Sequence, residues 1–247
     1  MTSIIKASGI LYVIDTQPVV LADFDAALTF QDLEKHLDVS SDNLEIIETA
    51  QRALNTVKKI VCPRAVYQWV EFECTGNGES GFIHRSGDSV TFDFGYSLQF
   101  LTEARRALIS VYTTGQVLEN ELKHASSKGD LLEAYFLDLI GLIALEKLGE
   151  KIKGIAEEQA RKLGWGVSPF LSPGSVHGWD LKEQVKLCSL LPLEKIDVSL
   201  HHDTTLSPLK TVSCLIGLGP GYRTVHVGTT CQVCSKKEAC PMKQNQT

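Results

Sequence analysis

The chain has 247 residues, of which 43% are hydrophobic and 22% are charged, and its formal net charge is −6. This length supports a sizeable hydrophobic core, and the composition excludes general disorder. The negative charge argues against nucleic acid as a partner, because binding to a phosphate backbone requires a basic surface. Acidic residues are concentrated in segment 1–44, which we treat as an acidic N-terminal segment of the main domain.

The first half of the chain predicts strands interleaved with helices. The stretch 10–21 is apolar and β-branched, which indicates one or two short strands. Apolar residues recur every three or four positions over 44–60, which predicts an amphipathic helix stopped by Pro63. The next predicted elements are a strand at 65–73, a hairpin within 82–94, a helix over 97–106 and a buried strand over 107–112.

The second half is dominated by helical patterns. After a helix over 115–125, Asp130 is placed to cap a helix over 131–148 that is apolar on nearly every face. We therefore expect that helix to be central to the core. The pattern over 151–163 continues or restarts the helix, and Gly164 provides a stop.

The last predicted elements are shorter. Asp180 and Glu183 have the spacing of a capping box, and strands are expected over 196–200 and 211–219. Strands and helices alternate without regular βαβ units, so we predict an α+β fold with a largely antiparallel sheet. We divide the chain into one domain, 1–228, and a cysteine-containing tail, 229–247.

No segment of the sequence predicts a membrane span or a secretory signal. The most apolar run, 134–145, has 12 residues, whereas a helix that spans a bilayer needs roughly 20. The N-terminus lacks the charged and then long apolar pattern of a signal peptide. We therefore expect a cytoplasmic protein.

Three of the seven cysteines lie close together, at Cys231, Cys234 and Cys240. Clustered thiols in a reducing compartment more often bind metal or do redox chemistry than form disulfides. The Cys-x₂-Cys spacing brings two sulfurs to one side of a turn, and a further cysteine followed by proline is typical of iron–sulfur ligation. We predict an iron–sulfur centre on these three residues, with Cys214 or His226 as candidates for a fourth ligand. Zinc and a tail without metal are the alternatives.

Several short segments together resemble the reductive-activation domain of cobalamin-dependent methionine synthase, in a free-standing form. The resemblance spans about residues 45–220 and depends on the order and spacing of the segments. The matching segments are Pro63-Arg64-Ala65-Val66-Tyr67, the strand that ends in Thr114-Gly115, Leu137-Asp138-Leu139-Ile140-Gly141 with Glu146, Ser172-Pro173-Gly174 with Trp179 and Gln184, and Thr211-Val212-Ser213 near Pro208.

The resemblance implies a curved antiparallel sheet, a corrinoid-binding protein or domain as partner, and a role in reactivating its cobalamin. In the family, the domain presents S-adenosylmethionine so that cobalt in the inactive cob(II) state is reduced and remethylated. By this resemblance Ser172, Pro173, Gly174 and Ser175 would present backbone groups to a ligand, although a mere tight loop is the alternative. His202, after the predicted strand 196–200, would contact a corrinoid or metal, or else lie in a solvated turn.

The sequence departs from the family at the expected adenosylmethionine site. The family has an arginine shortly before the Pro-Gly pair and a tyrosine just after it, and the matching positions are Phe170 and Ser175. An arginine pairs with a ligand carboxylate through two parallel hydrogen bonds, which phenylalanine cannot do. The sequence therefore predicts weak or absent S-adenosylmethionine binding.

Three functional hypotheses remain open from the sequence. The first is an accessory protein that helps to reactivate a corrinoid protein, with electrons passing through the cysteine tail. The second is a non-catalytic module that binds a corrinoid or its carrier protein. The third is a zinc-stabilised relative with an unrelated partner.

Overall fold

The structure, a computed structural model, describes residues 2–7, 10–15, 17–36, 44–74, 80–85, 88–175 and 179–229. The strands are β1 (Thr2–Ala7), β2 (Ile10–Asp15), β3 (Val19–Leu21), β4 (Arg64–Cys74), β5 (Ser80–Arg85), β6 (Asp88–Asp93), β7 (Arg106–Thr113), β8 (Gly166–Val167), β9 (Ser199–Leu200), β10 (Leu206–Ser207) and β11 (Thr211–Gly219). The helices are α1 (Phe30–Glu34), α2 (Leu44–Ile60), α3 (Gln116–Ser127), α4 (Leu131–Leu163) and α5 (Glu183–Ser189), with 3-10 helices at Gly95–Phe100 and Leu193–Ile196.

Seven strands form one curled antiparallel sheet in the order β6-β5-β4-β7-β11-β8, with β3 paired to the N-terminal part of β4. Strand β7 is central: it pairs with β4 on one side and with β11 on the other, and all of its residues are buried. Strands β1 and β2 form one hairpin, and β9 and β10 form another. The sheet is thus the frame on which the remaining elements pack.

Helix α4 covers one face of the sheet with its C-terminal half. Leu148, Ile152 and Ala156 of the helix belong to the same buried cluster as Leu108 and Ile216 of the sheet. The N-terminal half of α4 packs instead on the other helices, in a second buried cluster. This arrangement explains why α4 continues unbroken through the two predicted segments: each half has its own apolar partner.

The expectation that α4 is apolar-packed on every face is wrong in part. Ile140 and Ile143 are buried as predicted, but Leu131 is 71% exposed, and Tyr135 and Leu142 are also exposed. These three lie on one side of the helix, at spacings of four and seven residues. The helix lies on the surface of the sheet and of its neighbouring helices, so this side is not covered by any described residue.

The ends of α4 follow from local chemistry as predicted. The Asp130 side chain accepts a hydrogen bond from the Glu133 backbone N–H at 3.2 Å, and Gly164 ends the helix with φ +66°. Asp138 within the helix pairs with Lys210, which satisfies the carboxylate. No helix among the described residues is long and apolar enough to cross a membrane.

Two local predictions are corrected by the structure. The predicted helix 97–106 is a 3-10 helix, Gly95–Phe100, followed by turns, and Arg106 already belongs to β7. Pairing of Arg106 with Glu71 and Leu218 in the sheet prevails over the local helical pattern. The predicted strand 196–200 is reduced to Ser199–Leu200, because a 3-10 helix occupies Leu193–Ile196.

The predicted capping box at Asp180 and Glu183 is also only half correct. Asp180 accepts a hydrogen bond from the Lys182 backbone N–H at 2.9 Å, as a capping residue does. The Glu183 carboxylate turns elsewhere: it accepts from the Asp93 backbone N–H at 3.1 Å and pairs with Lys186 at 2.8 Å. Glu183 therefore fastens α5 to the end of β6 rather than capping its own helix.

Asp32 in the acidic N-terminal segment joins α1 to α4, and its loss should destabilise the protein in a pH-dependent way. Its Oδ2 lies 2.7 Å from Lys147 Nζ and accepts hydrogen bonds from the Thr29 hydroxyl and backbone N–H. Burial by itself would raise the pKa of this carboxyl, but the hydrogen bonds from Lys147 and Thr29 lower it from 3.8 to about 2. The folded state thus favours the ionised form.

We expect Asp32→Asn to lower the free energy of unfolding at pH 7 by about 1–2 kcal/mol, after allowance for partial solvent screening. Because the folded pKa is depressed, this contribution is present above the unfolded pKa and disappears as the pH falls from about 4 to 2. Urea unfolding at several pH values measures the difference. Glu34→Gln, an exposed carboxylate on the same helix, is the matched control. A deficit for Asp32→Asn that is equal at pH 7 and pH 2.5 would contradict the assignment.

Candidate functional site

The segment that carries the predicted ligand loop is fixed to the edge of β11. Leu171 and Leu215 exchange two backbone hydrogen bonds, at 3.1 and 2.8 Å, in an isolated antiparallel bridge. The next residue, Ser172, is buried, and its hydroxyl donates to the Ser213 carbonyl oxygen at 2.7 Å. The loop therefore leaves the sheet from a rigid base, and the Ser172 hydroxyl proton is already used in holding it there.

The predicted ligand residues form a tight turn with one exposed side. The Ser175 N–H donates to the Ser172 carbonyl oxygen at 3.2 Å, and the Gly174 N–H donates to the Trp179 carbonyl oxygen at 2.9 Å. Gly174 has φ +77°, a left-handed conformation that suits glycine. Pro173 is buried, whereas Gly174 and Ser175 are exposed. Of the four predicted residues, Gly174 and Ser175 are the two that a ligand can reach.

Gln184 on α5 links this loop to the turn that contains His202. The Ser213 hydroxyl donates to Gln184 Oε1 at 2.7 Å, and Gln184 Nε2 donates to the Thr204 carbonyl oxygen at 2.6 Å. Both Gln184 and Ser213 are buried. A continuous chain of hydrogen bonds therefore runs from Ser172 to the His202 turn, which places the two predicted parts of the site on one framework.

His202 itself lies at the exposed tip of the β9–β10 hairpin. The turn is closed by a hydrogen bond from the His201 N–H to the Thr205 carbonyl oxygen at 2.9 Å, and Asp203 Oδ1 accepts from the Thr205 N–H at 3.0 Å. The structure thus places His202 in a solvated turn, with its ring accessible to a partner. Asp203 is used locally to shape the turn.

Trp179 supports the loop from inside the core. It is 1% exposed, and its ring lies 4.9 Å from the ring of Phe94, which stacks on Phe92. Its carbonyl accepts the hydrogen bond from Gly174. Trp179 therefore anchors the loop and does not face a ligand, as the core interpretation of this residue predicts.

Phe170, at the position of the family's arginine, points toward α4 rather than to the exposed side of the loop. It is buried with the residues of α4 and the sheet, and Lys153 Nζ lies 5.7 Å from its ring centroid. A cation is thus present at this position, supplied by a different element. Lys153 is already paired with Glu150 at 2.6 Å, so its charge is largely satisfied within the chain.

The predicted metal ligands Cys231, Cys234 and Cys240 lie outside the described residues. Of the two candidates for a fourth ligand, Cys214 is fully buried in β11, and burial raises the pKa of its thiol far above the usual range. His226 is exposed, and its Nδ1 lies 3.5 Å from Glu157 Oε2. Within the described ranges, no group of three or more His, Cys, Asp or Glu side chains is arranged to hold a metal ion.

The described chain that precedes the tail runs alongside the ligand loop. The Val167 N–H donates to the Thr224 carbonyl oxygen at 2.8 Å, and the Phe170 N–H donates to the Gly228 carbonyl oxygen at 2.9 Å. Glu157 accepts from the Val227 N–H at 2.9 Å. Sequence reasoning missed this role of α4. The only signal was a polar stripe at Glu150, Lys153 and Glu157, whose spacing places these residues on one side of a helix.

Comparison with known proteins identifies the fold class and one solved relative. A curled antiparallel sheet with a long helix across it is the architecture of the activation-domain fold, as predicted. The crystal structure of the MetH reactivation domain bound to AdoHcy matches with a TM-score of 0.57 and 13% identity, over 81% of this chain and 73% of that chain. At this identity the match shows the fold. No family model and no curated protein matches the chain.

Proposed function

We propose that the protein is an accessory protein of a corrinoid-dependent methyl-transfer system, which assists the reductive reactivation of cobalamin on a partner protein. The observation that carries the proposal is the structural match to a reactivation domain that was crystallised with S-adenosylhomocysteine. The exposed backbone of Gly174 and Ser175 and the exposed ring of His202 supply one side of the domain for contact with the ligand or corrinoid. Ser172 and Pro173 hold that surface from beneath.

We further propose that Cys231, Cys234 and Cys240 hold an iron–sulfur cluster, with zinc as the alternative metal. The chemistry of the donor set fits: three thiolates within ten residues suit either metal, and proline after the last cysteine favours the cluster. A bound cluster would supply one-electron transfer. The thiols themselves would be deprotonated on metal binding.

The test is an ultraviolet–visible spectrum of anaerobically purified protein, together with metal analysis and mixing with cobalamin. Broad absorbance near ~400 nm with bound iron supports the cluster. A colourless protein with stoichiometric zinc would replace the cluster by a structural metal. Retention of a corrin spectrum after desalting supports the corrinoid-contacting surface, and its loss with both free cobalamin and a cobalamin-loaded carrier protein would contradict that part.

A second candidate, a corrinoid-binding module without turnover, is favoured by one observation. Phe170 replaces the arginine that the family uses for the adenosylmethionine carboxylate, and the nearby Lys153 is paired with Glu150. A protein that has lost this contact can still bind a corrinoid protein through the exposed loop. Reduction of bound cob(II)alamin by the metal-loaded protein separates the two candidates, because a pure binding module leaves the cobalt oxidation state unchanged.

S-Adenosylmethionine is expected to bind more weakly than in the low-micromolar range. Loss of a charge-assisted pair with the ligand carboxylate costs about 1.5–3 kcal/mol, or roughly one to two decades in affinity. Titration calorimetry of the full chain with S-adenosylmethionine, and with S-adenosylhomocysteine as a neutral-sulfur control, measures this. Low-micromolar binding of either ligand would show that other groups replace the arginine and would argue against the pure binding module.

A further inference from the structure

Glu157 of α4 holds the chain segment that leads to the cysteine tail. Its side chain is 18% exposed; Oε1 accepts the Val227 N–H at 2.9 Å, and Oε2 lies 3.5 Å from His226 Nδ1. The other cation at this carboxylate is Arg161, at 3.8 Å. A carboxylate that accepts a backbone N–H makes a charge-assisted hydrogen bond, which is stronger than a neutral one. The middle of the 222–229 segment is therefore fixed to the C-terminal half of α4.

The opposite side of the same segment is fixed to residues 166–170. In addition to the hydrogen bonds of Thr224 and Gly228 with this stretch, the two chains approach closely at Gly166. A Cβ atom on Gly166 would lie 2.6 Å from the Thr224 carbonyl oxygen and 2.6 Å from Tyr222 Cβ. The 222–229 segment thus lies in a slot between α4 and the chain that continues directly into the 171–175 loop.

We infer that Glu157 is a positioning residue, which directs the cysteine tail to the 171–175 loop. Cys231 is three residues beyond Gly228, so its Cα lies within about 11 Å of the Gly228 Cα. Gly228 is itself hydrogen-bonded to Phe170, the residue before the Leu171 bridge. In functional terms this inference rests on the proposed function, since it makes the cysteine-held centre and the exposed loop two parts of one site.

Disulfide trapping in metal-free, full-length protein tests the placement without any metal chemistry. In a background with Cys234→Ser and Cys240→Ser, Ser175→Cys introduces a thiol on the exposed loop. Diamide, a two-electron thiol oxidant, joins two thiols as a disulfide with release of two protons to the reduced oxidant. We expect the Cys231 link, identified by peptide mass spectrometry, to form at least about tenfold faster than with Ser127→Cys. Ser127 lies near the start of α4, about 40 Å along the helix from Glu157.

Adding Glu157→Ala or Gly166→Ala should slow the Ser175→Cys link by about three- to tenfold, because each loosens the segment from one side. Glu157→Gln retains an acceptor for Val227 and should recover most of the rate. Glu158→Ala, an exposed residue next along α4, is the matched control and should have no effect. Equal rates for Ser175→Cys and Ser127→Cys would overturn the placement. A fast link that neither Glu157→Ala nor Gly166→Ala slows would overturn the role of Glu157. Both results stand apart from any failure to bind iron.

Discussion

Replacement of Cys234 by serine should remove bound iron and the associated visible absorbance while thermal unfolding of the main domain stays nearly unchanged. Serine is a poor ligand for iron or zinc at neutral pH compared with a thiolate. The three clustered buried cores are formed by residues up to 218, with Val227 packed against one of them, so the domain does not depend on Cys234 for its packing. Metal analysis, the anaerobic spectrum and a melting curve on the same samples measure the three parts.

Cys62→Ser is the matched control for this substitution. Cys62 is partly exposed and lies beside Arg64 at the start of β4, on a different part of the chain from the tail. It should leave metal content unchanged. If wild type and Cys234→Ser bind the same amount of metal after reconstitution, or if neither binds any, the cysteine-held centre is wrong. The corrinoid-contacting loop would then stand alone as the basis of the proposed function.

The elements that local chemistry determines could be predicted from the sequence. Helix α2 begins and ends where its apolar periodicity does, and α4 begins at Asp130 and ends at Gly164 because capping groups act on adjacent residues. The 97–106 segment shows the limit of such reasoning. Its end pairs with β4 and β11, and partners more than 30 residues away in sequence leave no local signal.

The candidate site divides along the same line. The Ser172-Pro173-Gly174 turn was recognisable because tight turns need particular residues, and its link to Gln184 and Ser213 follows the order of the resembling segments. The positions of Lys153 and Glu157 were not, since each acts on a residue far along the chain: Lys153 on Phe170, and Glu157 on Val227. Their polar stripe on α4 read as a solvated surface until the fold placed the C-terminal segment against it.

Trp179→Ala is expected to be the most destabilising of the substitutions considered for the loop. The indole ring is 1% exposed and packs on Phe94 within the largest buried cluster. Truncation of a buried tryptophan costs about 3–5 kcal/mol, because it removes apolar contact and leaves a cavity. For a domain of this size that loss lowers the melting temperature by about 10 °C. Calorimetry or fluorescence-independent circular dichroism melting measures the change.

The same substitution should loosen the exposed loop before the domain unfolds. The Gly174 N–H donates to the Trp179 carbonyl oxygen, so a less rigid residue 179 should increase hydrogen exchange at Gly174. Trp179→Phe is the informative control: it keeps an aromatic ring against Phe94 and removes an indole N–H that is buried without a hydrogen-bond partner among the described residues. Because an unpaired buried donor is itself unfavourable, the phenylalanine variant should lose much less stability than the alanine variant. A cost below about 1 kcal/mol for Trp179→Ala, with exchange at Gly174 unchanged, would mean that the loop is held by the Leu171 bridge and the Ser172 hydrogen bond alone.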